Sequence, residues 1–220
     1  MRFFVYILIL AAGCVGTPVP EPPNLTPPDP ALVEVNVGSV PGITGQPGAL
    51  EPGTELWIAN LDNMDPPTRI PTRDDGSFRD DSFVAAPGQE LRLQARRGAE
   101  RSIPVDVRAG GGEVMRPTAG CLVLRPALEL NLDDPETASR VVIENGCGVD
   151  ARIDDIRLRA PSASIRVDTA PPLMIPDGAS ANITLSLLPD ATGLTEEVLI
   201  LDVSAPETDR RPVTVFARRP

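Results

Sequence analysis

Acidic side chains in adjacent pairs are the residues of this chain best supplied for chemistry: Asp74-Asp75, Asp80-Asp81, Asp133-Asp134 and Asp154-Asp155. Two carboxylates at a fixed separation can cleave a glycosidic bond, one as acid and one as base or nucleophile. The rest of the inventory narrows the options. The chain has no His and no Lys, and all 20 basic residues are Arg, against 31 Asp and Glu. A Ser or Cys nucleophile therefore lacks its usual base, and Ser-Lys and Schiff-base chemistry are excluded. No cleft signature selects one carboxylate pair, and Asp at strand ends ordinarily bonds its own turn backbone. We therefore expect no enzyme and no catalytic residue. A calcium loop would need the alternating D-x-D-x-D-G pattern, which none of the pairs follows, leaving only a weak cation site around Asp74 to Asp81 as a second reading. Cys121 and Cys147, with no His to complete a zinc site, suit a bridge better than a metal. Their midpoint falls at Asp134, so an antiparallel hairpin turning there would set them opposite one another. Two buried free thiols are the alternative. No metal and no cofactor is expected.

The third cysteine has a different setting. A single Arg2 precedes an apolar run from Phe3 to Ala12, followed by Gly13-Cys14. The run is too short for a membrane span, which needs about 18 to 20 apolar residues, and fits a secretory signal. Leu10-Ala11-Ala12-Gly13-Cys14 resembles the lipobox of bacterial lipoproteins. The resemblance implies cleavage before Cys14, acylation of Cys14 including palmitate, and permanent attachment, because each buried CH₂ contributes about 0.8 kcal/mol. Val15 in place of Asp favours the outer membrane by the enterobacterial sorting rule. An exported chain meets an oxidising compartment, which suits the Cys121–Cys147 bridge. The alternative is an ordinary signal peptide with a cysteine near its cut.

Seven prolines lie between Val15 and Ala31. As polyproline II, at about 3.1 Å per residue, this stretch would hold a domain roughly 50 Å from the membrane. The net charge of −11 opposes nucleic acid and anionic lipid headgroups, both of which need clustered positive charge. We expect the membrane, reached through the lipid, and a protein of the envelope as partners, and no nucleic acid.

Beyond the spacer, apolar residues alternate in short runs broken by Pro, Gly and Asp, which predicts an all-β chain. The first set is 32–37, 54–59, 77–84, 90–95 and 102–108. Asp75-Gly76 predicts a hairpin turn and Pro87-Gly88 another. The order of Pro52-Gly53-Thr54, Asp75-Gly76-Ser77-Phe78 and Ala86-Pro87-Gly88 resembles carboxypeptidase-regulatory-like and bacterial Ig-like modules. Gly110-Gly111-Gly112 then predicts a flexible joint. Eight further runs follow within about 100 residues, the number expected of a sandwich. Pro126-Ala127-Leu128-Glu129-Leu130, Val141 to Gly146, Ile175-Pro176-Asp177-Gly178 and Ile183 to Pro189 resemble the Ig-like domain of the ASPM/SPD-2/Hydin group and the choice-of-anchor D repeats. Leu130 and Leu187 stand where that group usually has Phe. The resemblance implies a protein-binding or spacing module without an active site.

The expected organisation is a signal peptide over 1–13, a lipidated Cys14 with a Pro-rich linker over 14–31, a small β-sandwich over 32–108, a Gly-rich linker over 109–118 and an Ig-like sandwich over 119–220. Two tandem Ig-like β-sandwiches make up the fold class. After cleavage only Trp57, Phe78, Phe83 and Phe216 remain as aromatic residues, too few for a stacking platform for sugars. In Glu55-Leu56-Trp57-Ile58 the strand phase sends Leu56 and Ile58 to the core and Trp57 to the outer face, where it would serve as a contact hot spot for a partner. The alternative is that a shifted register or the neighbouring domain buries it. The leading functional reading is a non-catalytic, lipid-anchored structural or protein-binding component of the envelope; an adhesin recognising glycan or calcium is the second.

Overall fold

A computed structural model describes residues 24–126, 129–132, 139–189 and 193–218. The signal, Cys14 and the first part of the Pro-rich segment lie outside the described residues, as does Asp134. Among the described residues there are 18 strands, two short 3-10 turns and no α-helix, and no helix long and apolar enough to cross a membrane.

The first sandwich contains β1 (Val33–Asn36), β2 (Gly42–Gly45), β3 (Glu55–Asn60), β4 (Thr68–Pro71), β5 (Phe78–Asp80), β6 (Glu90–Arg97), β7 (Glu100–Arg101), β8 (Val105–Arg108) and β9 (Gly111–Glu113). One sheet runs β1-β2-β5 and the other β4-β3-β6-β8-β9, with β7 also paired to β6. Val35, Ile43 and Phe78 of the small sheet meet Leu56, Ile58, Leu91, Leu93 and Val107 of the large one in a common core. The alternation read from the sequence is what places them there. Asp75-Gly76 forms the expected turn: Gly76 has φ +78°, and the Asp75 carboxylate accepts from the Ser77 amide. Gly88 turns in the same left-handed region at φ +83°.

Two segments depart from expectation. Residues 24–31, expected as free spacer, lie against the first sandwich. Leu25 is buried in its core, the Asn24 amide donates to the Arg101 carbonyl at 3.0 Å, and the Asp29 amide donates to the Ala49 carbonyl at 3.1 Å. One leucine among the prolines is enough, since it finds an apolar site within reach. The glycine run 110–112, expected as a flexible joint, turns β8 back into β9, pairing Val107 with Glu113 and Arg108 with Gly111. Gly110 supplies the positive φ of +78° that the turn requires.

The second sandwich contains β10 (Leu122–Arg125), β11 (Glu129–Leu132), β12 (Ser139–Asn145), β13 (Ala151–Leu158), β14 (Ile165–Val167), β15 (Leu173–Ile175), β16 (Ser180–Leu187), β17 (Leu194–Ala205) and β18 (Asp209–Arg218). Its sheets run β10-β12-β16-β14 and β11-β18-β17-β13-β15. Leu122, Ile143, Ile183 and Leu185 pack against Ile153, Leu199, Leu201, Val213 and Val215. Leu187 is buried in this core, so Leu packs at that position without the Phe usual in the group that the sequence resembles.

Candidate functional site: the seam between the sandwiches

Trp57 sits in the middle of β3, opposite Arg69 of β4 and Gln94 of β6. Leu56 and Ile58 enter the core, so the strand phase is as read and Trp57 does point outward. It is nevertheless only 5% exposed. The Arg96 guanidinium carbon lies 4.2 Å from the Trp57 ring centroid, and the same guanidinium forms a two-armed ion pair with Glu196 of β17, Nη1 donating to Oε2 at 2.7 Å. The expectation of an exposed partner contact at Trp57 is therefore corrected: the outer face of the first sandwich is covered by the second.

The cover is sheet on sheet. On β17 the odd-numbered Leu199, Leu201 and Val203 enter the second core, while Val198 and Ile200 turn the other way and cluster with Leu61. On β18 Thr214 and Phe216 face outward, and the Phe216 ring lies 4.4 Å beneath the Arg101 guanidinium. Both faces of β17 are buried, and this is why its sequence reads Val-Leu-Ile-Leu without alternation. That unbroken run was the available signal for a covered outer face.

Buried and half-buried arginines stitch the two surfaces together. Arg92, 3% exposed, points out of β6 and donates from Nε to Asp106 at 2.8 Å and from Nη2 to the Pro212 carbonyl at 3.1 Å. Arg116 closes the cluster, with Asp106 at 2.9 Å and Glu90 at 3.0 Å. Burial alone would raise the Asp106 carboxyl, but Arg92 and Arg116 outweigh it and hold the carboxyl below the ordinary carboxylate range. Across the seam Arg210 joins Asp62 at 2.6 Å to Asp202 at 3.2 Å, and Arg159 Nη1 donates to the carbonyls of Asn63 and Asp65. Buried charges need partners of this kind, because unpaired they carry a desolvation cost of several kcal/mol each. A cleft of about 390 Å³ opens beside Arg116, Asp202 and Arg210, lined from both sandwiches. Its arginines are already joined to carboxylates.

The other residues singled out by the sequence fall into place individually. Cys14 lies outside the described residues. Cys121 and Cys147 form a disulfide, with Cα atoms 4.7 Å apart. Its geometric basis differs from a hairpin at Asp134: β10 and β12 pair antiparallel with Leu122 opposite Asn145, while β11 between them joins the other sheet, parallel to β18. The cysteines therefore sit just past the last paired residues, one position off the assumed register. Asp133-Asp134 lies outside the described residues, and members of the other acidic pairs serve turns and ion pairs. Asp80 accepts from the Ser82 amide, Asp81 pairs with Arg79 and Asp155 with Arg157. The residues that sequence reading missed are Arg92, Arg96, Arg159 and Arg210, each of which finds a partner on the opposite sandwich.

No protein-family model matches the sequence, and no curated protein is similar to it. Among solved structures, the chain is similar to the ASH/PapD-like domain of human CEP192 at 11% identity and a TM-score of 0.39, covering 49% of this chain and 90% of that one. It is also similar to the CsuC–CsuE chaperone and tip-adhesin complex of Acinetobacter baumannii, at 16% identity and 0.35, covering 41% and 53%. A protein of unknown function from Porphyromonas gingivalis W83 matches at 12% identity and 0.38, covering 84% and 94%. The all-β, Ig-like sandwich fold itself rests on the strand pairing described above.

Proposed function

We propose that this chain is a non-catalytic, lipid-anchored component of a bacterial cell envelope, in the outer membrane, acting as a structural or protein-binding module. Cys14 carries the acyl chains, and the second sandwich is an Ig-like domain of the ASPM/SPD-2/Hydin and choice-of-anchor D kind. The observation that carries the reading is the seam. Carboxylates along the seam, Asp106, Glu90, Glu196, Asp62 and Asp202, are bound to arginines that lock the sandwiches together. Two sandwiches fixed in this way hold their loops at constant relative positions, as a module that docks or spaces other proteins requires. The reading is tested by growing cells that produce the full chain with a clickable palmitate analogue and fractionating their membranes. Wild type should be labelled and sediment with the outer membrane, and Cys14→Ser should lose both. Label retained by Cys14→Ser, or wild type found soluble, would overturn the anchor.

A further inference from the structure

The chain joins the fold at one end of the double sandwich. Asn24 and Leu25 bond beside Arg101, next to the finish of β6, and Leu25 forms a parallel bridge with Ser102. The Asn24 side chain also donates to Glu100 at 3.1 Å. Nine residues lie between Cys14 and Asn24, a reach of at most about 35 Å. An acylated Cys14 would therefore keep this end close to the bilayer, on a shorter leash than the free spacer expected from the sequence.

The registers fix what lies at the opposite end. β6 starts there, and so do the connections β1–β2, β3–β4, β5–β6, β9–β10 and β12–β13, together with the finish of β15. In the second sandwich this end is marked by Arg210 on Asp62, whereas Glu196 on Arg96 and Phe216 under Arg101 mark the anchored end. The large apolar side chains left in solvent divide unequally between the ends. Val40, Met64, Val84, Met115, Val149 and Met174, each at least 53% exposed, all lie at the far end; among the described residues only Ile103 and Leu194 lie towards the anchor. Single exposed apolar residues are ordinary, but their gathering on the loops at one end of both sandwiches marks a contact surface.

Charge narrows what fits it. Around these residues Asp65, Asp80, Asp150 and Asp177 accept hydrogen bonds from Asn63, Ser82, the Asp177 amide and the Gly148 amide, and none has an arginine partner among the described residues. The rim is negative, so anionic headgroups are repelled and a basic protein surface is attracted. We propose that this membrane-distal loop end is the docking surface for a second envelope protein that presents an apolar patch ringed by Lys and Arg. The proposal rests on the anchor reading for the word distal, and on the exposed side chains for the surface itself.

Methionine supplies the probe. The sequence has four: Met1 and the three at this end, Met64, Met115 and Met174. Cells producing the full chain are grown with photo-methionine, irradiated intact and analysed by mass mapping of the adducts. The expected result is one discrete protein adduct at these methionines, joined to a partner peptide flanked by Lys or Arg. Its yield should fall about tenfold in Val84→Asn/Val149→Asn, whose circular dichroism and melting should match wild type, and fall again when salt is raised on isolated membranes. Adducts to lipid would place this end at the bilayer and overturn the proposal. So would adducts to a second copy of the chain, a partner surface without basic residues, or no discrete adduct. The palmitate label, read in the same cells, reports failure of the anchor separately: loss of label with the adduct intact removes the word distal and leaves the surface standing.

Discussion

The Arg96 guanidinium carbon lies 4.2 Å from the Trp57 ring centroid while both its amino groups hold Glu196 of the other sandwich. One arginine thus joins a first-sandwich aromatic to a second-sandwich carboxylate, and the outer face of β3 becomes an interior. Trp57→Ala should leave a cavity at the seam and lower the stability of the full chain by about 3 to 5 kcal/mol, measured by urea unfolding. Trp57 is the single tryptophan, so its fluorescence should start blue-shifted and move red in the same transition that melts the second sandwich. Near-wild-type stability of the Ala variant would show that the seam does not bury this ring.

Asp106 is the counter-ion of the buried Arg92 and the half-buried Arg116, and Asp106→Asn should cost about 3 to 5 kcal/mol at neutral pH by leaving both undercompensated. The folded carboxyl lies below its ordinary value, near 3.9 in an unfolded chain. Its stabilisation is therefore complete above about pH 4 and is lost as pH falls through the lower folded value. Stability against pH should drop more steeply in wild type than in Asp106→Asn over that acid range. Equal slopes would remove Asp106 from the acid response.

Gly45 of β2 faces the Phe78 ring so closely that an added Cβ would stand 2.1 Å from Phe78 Cε1. The Phe78 ring is only 2% exposed, so an added methyl forces the ring or the strand to shift within a packed core. Gly45→Ala should cost at least about 3 kcal/mol, the upper end for overpacking, and Gly45→Ala/Phe78→Leu should recover part of it. Thermal melts of the three proteins decide the matter, and an unchanged melting temperature in Gly45→Ala would refute the contact.

The Cys121–Cys147 bridge closes a separation of 26 residues. Reduction, or Cys121→Ser/Cys147→Ser, should lower stability by about 3 to 4 kcal/mol on the loop-entropy account, with the loss read by urea unfolding with and without reductant. The seam lies on the other sheet, so Trp57 fluorescence of the reduced folded state should stay blue-shifted.

The sequence determined each element whose cause is local. Alternation at Leu56/Ile58, Val141/Ile143 and Ile183/Leu185 determined which face of each strand enters a core, because side chains alternate across a strand whatever it packs against. Asp75-Gly76 and Pro87-Gly88 determined two turns, through backbone conformations that few other residues adopt. The pairing of Cys121 with Cys147 was also legible, although the assumed hairpin was not: β11 leaves for the opposite sheet, a choice between two apolar surfaces that local pattern does not encode. Only the tertiary structure decided that Trp57 and Arg92 are buried, that Leu25 leaves the spacer for a core, and that Gly110 to Gly112 make a ladder rather than a joint. An arginine on an outward strand position reads as solvated until another surface supplies its carboxylate and carbonyl. That surface comes from strands about 100 residues further along the chain.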